Sequence, residues 1–238
     1  MTVSVLRTHA QIAEARLNLV SRGLAWRTNW LRKVLRRTRL LSTEQEIGDI
    51  VKSWDVLKTV EFAERHIKKH EAVLDIGAFA SEMPIVLHRL GFMDLSGIDL
   101  NPAIMAMPYQ DRIHYRIGDF LKTPFASSSF ALITAISVIE HGYRADELLT
   151  EISRLLKPSG YFAASFDYWP EKIDTEGVQI FGLDWRIFSK SEVEDLIRVA
   201  KSHGLRVHGN IDLRADQKPI HCFDRSYTFA WLVLQKSD

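Results

Sequence analysis

The stretch VLDIGAFASEMP, Val73 to Pro84, reads as a buried strand, a tight turn and the start of a helix, the layout of a nucleotide-binding loop. Its turn holds one glycine, Gly77, where such loops usually hold three. Outward from this stretch, apolar runs of strand length alternate with helical patterns. Strands are predicted at Ala72 to Ile76, Leu95 to Asp99, Ile113 to Ile117, Phe130 to Val138 and Tyr161 to Ser165. Between them come helices at Ser81 to Leu90, Pro102 to Met107 and Asp146 to Leu156. A capping box, Ser189 with Glu192, opens one more helix that Gly204 ends. A helix over roughly Ile50 to Lys69 precedes the series.

This alternation predicts a mainly parallel sheet covered on both faces. The ending breaks the rhythm. Strands near Arg206 to Gly209 and Tyr227 to Leu234 have no helix between them, so they must pair antiparallel and the last strand is expected to run reversed.

The 238 residues, 46% of them hydrophobic, suffice for one sizeable core. No run reaches the length of a membrane span and the N-terminus lacks a signal-peptide pattern, so a cytoplasmic location is expected. The lone Cys222 offers neither a disulfide nor a metal cluster. A net charge of +1 conceals an asymmetry: residues 1–40 carry nine Arg or Lys against one acid, Glu14, a balance of +8, and the other 22 basic and 29 acidic residues leave −7.

Much of that positive charge lies in NWLRKVLRRTRLL, where Trp30, Leu31, Val34, Leu35, Thr38 and Leu41 share one stripe and Arg and Lys fill the other. Residues 1–45 are therefore expected to form a basic helical extension ahead of a domain at 46–238. Such a helix fits a lid, a homodimer contact or a peripheral contact with an anionic membrane.

Ligands of an open parallel sheet sit beyond the carboxyl ends of its strands. Three carboxylates occupy such positions: Asp75 in the first strand, Asp99 closing the second and Asp119 after the third. Asp99 follows Gly77 by the interval at which an acid accepts hydrogen bonds from both ribose hydroxyls. Asp119 with Phe120 could receive an adenine ring. An Asp at a strand end also commonly caps the next helix, so the register of all three carries the reading.

With VLDIG, GIDLNP, GDF, SVIEH and LLKPSGYF in order, residues 50 to 238 resemble the class I S-adenosylmethionine-dependent methyltransferases (type 11/12-like). The resemblance implies a Rossmann-like seven-stranded sheet with a reversed last strand and S-adenosyl-L-methionine as cofactor. It implies that Asp75 supports the methionine amino group and that the turn (Gly77, Ala78, Phe79) holds methionine and ribose. Asp99 with Leu100 would then take the ribose, Asp119 with Phe120 the adenine, and backbone near Ala135 and Ile136 would complete the methionine site.

The departure is in the turn, where Phe79 and Ser81 replace the family's later glycines. A dinucleotide needs the middle glycine so that backbone can approach a pyrophosphate. S-adenosylmethionine has no phosphate, so the turn favours it over NAD, while a degenerate, non-binding turn stays open. Ser81 is expected to cap the helix that follows.

Methyl transfer from a sulfonium demands alignment, plus a base when the acceptor is a hydroxyl. His141 after the fourth strand and Asp167 after the fifth are the candidate bases, with Glu140 orienting His141 or capping a helix. The long segment DYWPEKIDTEGVQIFGLDW, Asp167 to Trp185, is expected to fold over the site. Its Tyr168, Trp169, Phe181 and Trp185 offer flat faces and its Glu171, Asp174 and Asp184 offer acceptors, a composition suited to a small or sugar/glycan-like hydroxyl acceptor. An aromatic lid packed on itself is the plainer alternative. The basic N-terminus raises RNA methylation as a competing function. Against nucleic acid stand the absence of an Asn/Asp-Pro-Pro-aromatic motif after the fourth strand and the distance of Cys222 from that place. A non-catalytic binding protein that keeps the methyltransferase fold is the remaining alternative. No His and carboxylate spacing indicates a catalytic metal.

Overall fold

The computed structural model describes residues 3–26 and 47–238. The basic amphipathic helix expected around Trp30 lies outside the described residues. The sheet runs in the order β1-β11-β6-β5-β2-β3-β4. Its parallel half comprises β2 (Val73–Ile76), β3 (Leu95–Asp99), β4 (Ile113–Ile117), β5 (Phe130–Ile136) and β6 (Leu156–Tyr168). The reversed strand is β11 (Arg225–Lys236), antiparallel to β6 from Tyr161 to Tyr168. The order turns back between β2 and β5, which places a crevice at the carboxyl ends of those two strands.

Among the described residues five α-helices cover the sheet: α1 (His9–Ser21), α2 (Ser53–His66), α3 (Met83–Arg89), α4 (Ala145–Leu155) and α5 (Lys190–Ser202). Side chains of a strand alternate between faces, and each face has its own core. Val73, Leu95, Ile113 and Leu132 pack with α1, α2 and α3. Leu74, Ile76, Ile98 and Ile133 pack with Leu148, Leu149, Ile152 and Leu155 of α4 and with Val193, Leu196 and Ala200 of α5. Each fully buried Leu or Ile contributes about 1.5–3 kcal/mol. Asp75 shares the parity of Val73, so its carboxylate points to the side of α1, α2 and α3.

Two expectations are corrected. Residues 1–45 were expected to be helical throughout, but β1 (Val3–Val5) pairs antiparallel with Ala230 to Leu232 of β11, and Val3 and Val5 are buried. Three apolar-polar-apolar residues are too short a pattern to read as a strand without their partner. The outer side of β11 is in fact met by three short strands in tandem: β10 (Ile220–Cys222), β1 and β9 (Leu205–Val207). The segment Asp167 to Trp185, expected as an irregular cover, contains a hairpin of β7 (Gln179–Ile180) and β8 (Leu183–Asp184) turning at Phe181–Gly182. Among the described residues no helix is long and apolar enough to cross a membrane.

Candidate active site

The turn after β2 is built around Gly77, whose φ of +68° suits a residue without a side chain. A Cβ there would stand 2.4 Å from Val138 Cγ2, so the chain after β5 packs directly against the turn. The Ala78 amide donates to Ile98 O and the Phe79 amide to Asp99 Oδ2 at 3.0 Å. Asp99 Oδ1 accepts from the Asn101 amide at 2.8 Å. A carboxylate offers about four lone-pair sites, so half of Asp99's capacity stays open beside the turn. The half-buried Phe79 ring packs on the α1/α2/α3 core, and Leu100 is exposed. Ser81 Oγ accepts from the Met83 amide, but the helix begins a residue later than expected and its cap position is Glu82, which makes no side-chain cap bond.

Asp75 is buried. Thr134 Oγ1 donates to its Oδ1 at 2.5 Å, and Oδ2 has no partner. Burial pushes the carboxyl up to about 7, and the Thr134 hydrogen bond works against the shift. Asp119 Oδ1 accepts from the Leu121 amide, and Arg144 stands 3.9 Å from Oδ2. The Phe120 ring packs on the α4/α5 core. Ile136 ends β5, followed by Ser137 with a φ of +51°.

The N-terminal segments reach this turn. The Gly48 amide donates to Ala80 O. Glu82, nearly fully buried, accepts from both Arg16 Nη1 (3.0 and 2.9 Å) and the Trp26 amide.

Next to the turn, where β5 and β6 end under the start of α2, polar groups converge. Lys52 Nζ donates to Ser137 Oγ at 2.5 Å, lies 3.9 Å from Asp167 Oδ1 and sits 3.7 Å above the Phe229 ring. Ser165 Oγ donates to Asp55 Oδ2 at 2.8 Å, and Trp185 Nε1 to Asp167 Oδ2 at 2.7 Å. Glu140 accepts nothing through either side-chain oxygen. Burial raises all three carboxyls: Asp55 to about 6 with Lys52 opposing, Glu140 well above the usual range with Asp167 adding to the rise, and Asp167 upward against Lys52. His141 is held down near 4, first by burial and then by Lys52, so its ring is neutral at pH 7. Its Nδ1 has no partner.

The structure thus brings Asp75, Gly77, Ala78, Phe79, Asp99 and Leu100 together at one turn. Asp119 and Phe120 follow the neighbouring strand, and Ile136, His141 and Asp167 gather at the ends of β5 and β6. It does not assemble the expected aromatic platform. Tyr168 lies in the core with its hydroxyl donating to Leu213 O, Trp185 is buried on Asp167, and Phe181 is 82% exposed at a hairpin tip. The strand β6 extends further than expected and carries Tyr168 inside. Glu140 neither orients His141 nor caps a helix.

Lys52 and Asp55 were missed in the sequence. Their signal was an Asp sharing a helical stripe with Thr59 and Phe62, all three buried on α2. Among the described residues no three His, Cys, Asp or Glu side chains are placed to hold a metal ion.

Residues 74–164 match the family model described as a methyltransferase domain. A sterol 24-C-methyltransferase of Gibberella zeae is 38% identical over 52 residues, 22% of this chain and 14% of that protein. The EEF1A lysine methyltransferase 2 of Mus musculus is 26% identical over 167 residues, covering 60% of this chain and 68% of that one. The chain thus spans about a seventh of the first relative and about two thirds of the second. The geranyl diphosphate C-methyltransferase of Streptomyces coelicolor A3(2), solved with Mg2+, geranyl diphosphate and S-adenosyl-L-homocysteine, superposes with a TM-score of 0.59 at 17% identity, over 82% of this chain and 86% of that one. The family match over residues 74–164 and the shared Rossmann-like fold agree with the resemblance read in the sequence.

Proposed function

We propose that the protein is an S-adenosylmethionine-dependent methyltransferase that acts on a heteroatom of a small acceptor held where β5 and β6 end. The observation that carries this reading is Asp99: its carboxylate faces the Gly77–Phe79 turn with acceptor capacity to spare. The residues fit the cofactor. Asp99 would take the ribose hydroxyls, Asp119 and the Phe120 amide the adenine, and Asp75 Oδ2 with backbone near Ile136 the methionine amino group. The packing of the Phe79 ring on the core supports this fit. When bound, S-adenosylmethionine supplies an electrophilic methyl group.

The finer reading is transfer to a hydroxyl of a small or sugar/glycan-like acceptor. Its support is a candidate base: burial raises the affinity of the Asp167 carboxyl for a proton, against the attraction of Lys52. The neutral His141 ring offers a second proton acceptor beside the same cluster. The two relatives are named for different acceptors, a sterol carbon and a lysine, so the acceptor is read from this chain's own residues. The domain division at 45/46, a homodimer and a membrane contact through residues 29–41 stay as proposals.

Isothermal calorimetry with S-adenosylmethionine and S-adenosylhomocysteine tests the reading. Saturable heat with both is expected. Neither heat nor thermal shift with either would remove the enzymatic reading and leave a non-catalytic binding protein.

A further inference from the structure

Asp75 does not stand alone on its face of the sheet. It pairs in register with Thr134 on one side and with Gly97 on the other, and Gly97 pairs in turn with Tyr115. Cross-strand partners share a face, so Thr134, Asp75, Gly97 and Tyr115 form one row across β5, β2, β3 and β4. The row has no side chain at Gly97, and the Tyr115 ring takes that place: a Cβ on Gly97 would stand 2.9 Å from Tyr115 Cδ1 and 2.9 Å from Ala78 Cβ. Neighbouring strands lie about 4.8 Å apart, so a ring lying over β3 carries its hydroxyl toward the Asp75 carboxyl. Both residues are buried, Tyr115 at 7% and Asp75 at 2% exposure. Neither Tyr115 Oη nor Asp75 Oδ2 has a hydrogen-bond partner. Burial pushes the Tyr115 phenol up, and Asp75 is the charge that pushes it further. Two buried polar atoms left without partners in one row are costly. A single water between them would satisfy both, as buried waters commonly do.

We propose that Tyr115 is a positioning residue of the cofactor site: its hydroxyl donates to a water that donates to Asp75 Oδ2, and so keeps that carboxylate ionised for the methionine amino group. The inference rests on the methyltransferase reading for the cofactor, whereas the link between the two residues belongs to the sheet itself. An ammonium group needs an acceptor that carries charge. Burial pushes the Asp75 carboxyl up to about 7, against Thr134 on β5 and Ser81 in the turn, while Asp99 on β3 adds to the rise. A further donor, from β4, therefore decides how much of Asp75 is charged near neutral pH. A carboxylate oxygen has lone pairs enough for both the water and the cofactor.

The test uses the full chain, with S-adenosylhomocysteine titrated by calorimetry into wild type and Tyr115→Phe at pH 6, 7 and 9. Binding draws on ionised Asp75, so affinity falls as pH falls through its midpoint. The ligand's own amino group titrates alike for both proteins and cancels in the ratio of their affinities. Loss of the donor should raise the Asp75 midpoint by about one pH unit, so that the variant binds about ninefold more weakly at pH 6, about fivefold at pH 7 and equally at pH 9. With methylthioadenosine, which lacks the amino-acid end, the two proteins should bind alike at every pH. A ratio near one throughout, a ratio that does not change with pH, or the same pH dependence with methylthioadenosine would overturn the proposal. If Tyr115→Phe does not fold, NMR of the free wild-type protein serves instead. The Tyr115 13Cζ resonance should move with the midpoint of the Asp75 carboxyl resonance, and one that ignores that titration would overturn the link. Lack of heat with S-adenosylhomocysteine in wild type would fail the methyltransferase reading. The same two resonances then still decide whether Tyr115 and Asp75 are joined.

Discussion

Replacing Asp55 with Asn should make the protein more stable at alkaline pH and no more stable in acid. Asp55 is fully buried in α2 and faces Lys52, Asp167, Glu140 and the Ser165 hydroxyl. Its folded-state pKa of about 6 lies above the ordinary 3.8 because burial outweighs the attraction of Lys52. The folded protein therefore holds this proton more tightly than the unfolded chain does. Stability contributed by the site is full below pH 4 and is lost as pH rises to about 6. A difference of roughly two pH units corresponds to about 3 kcal/mol at pH 8. Asn keeps an oxygen to accept from Ser165, and the attraction of Lys52 is already counted in that pKa, so the gain should be about 3 kcal/mol, or about 6–12 °C in Tm for a chain of this size. Thermal melts of wild type and Asp55→Asn at pH 4, 6 and 8 read the effect. A difference independent of pH, or a variant less stable at pH 8, would refute the reasoning.

Three further outcomes follow from the geometry. Asp99→Asn should weaken S-adenosylhomocysteine binding about ten- to hundredfold, since hydrogen bonds to a charged group are worth about 1.5–3 kcal/mol; calorimetry reads the affinity, and a melt without ligand confirms that the fold persists. Gly77→Ala sets a methyl group against Val138 at a positive φ, and overpacking of this kind costs about 1–3 kcal/mol. Its Tm should fall by about 5 °C, and an unchanged Tm would show that Val138 yields freely. Arg16→Met leaves the Glu82 carboxylate buried without its guanidinium, which should cost about 3 kcal/mol in a denaturant melt; adding Glu82→Gln should recover most of the loss.

The order of the sheet was legible because its central strands are short continuous apolar runs with turn residues on both sides. For β3 and β4 the expected and observed bounds coincide. The turn proposed for the cofactor was legible for a different reason: Gly77, Asp99 and Asp119 each follow closely on a strand, so fixing the strands fixes where the residues stand. The edge of the sheet was hidden. Val3–Val5 becomes a strand only through its hydrogen bonds to β11, a partner from the opposite end of the chain. The buried acidic cluster was hidden too, because Asp55, Glu140 and Asp167 lie in three separate segments and no local spacing links them. The aromatic residues of 167–185 misled for the opposite reason. They are close in sequence, but β6 carries Tyr168 inward while the hairpin carries Phe181 out.

Strand β11 also sets an order of events during synthesis. It lies between β6 and the short strands β10, β1 and β9, so the first described residues wait for some of the last ones. While β11 is still in the ribosome, β6 offers a bare row of amides and carbonyls, and Val3–Val5 has nothing to hold. Long-range pairing of this kind is slow and exposes the nascent chain to association with its neighbours. A chaperone binding the unfinished sheet would find its most open target along β6.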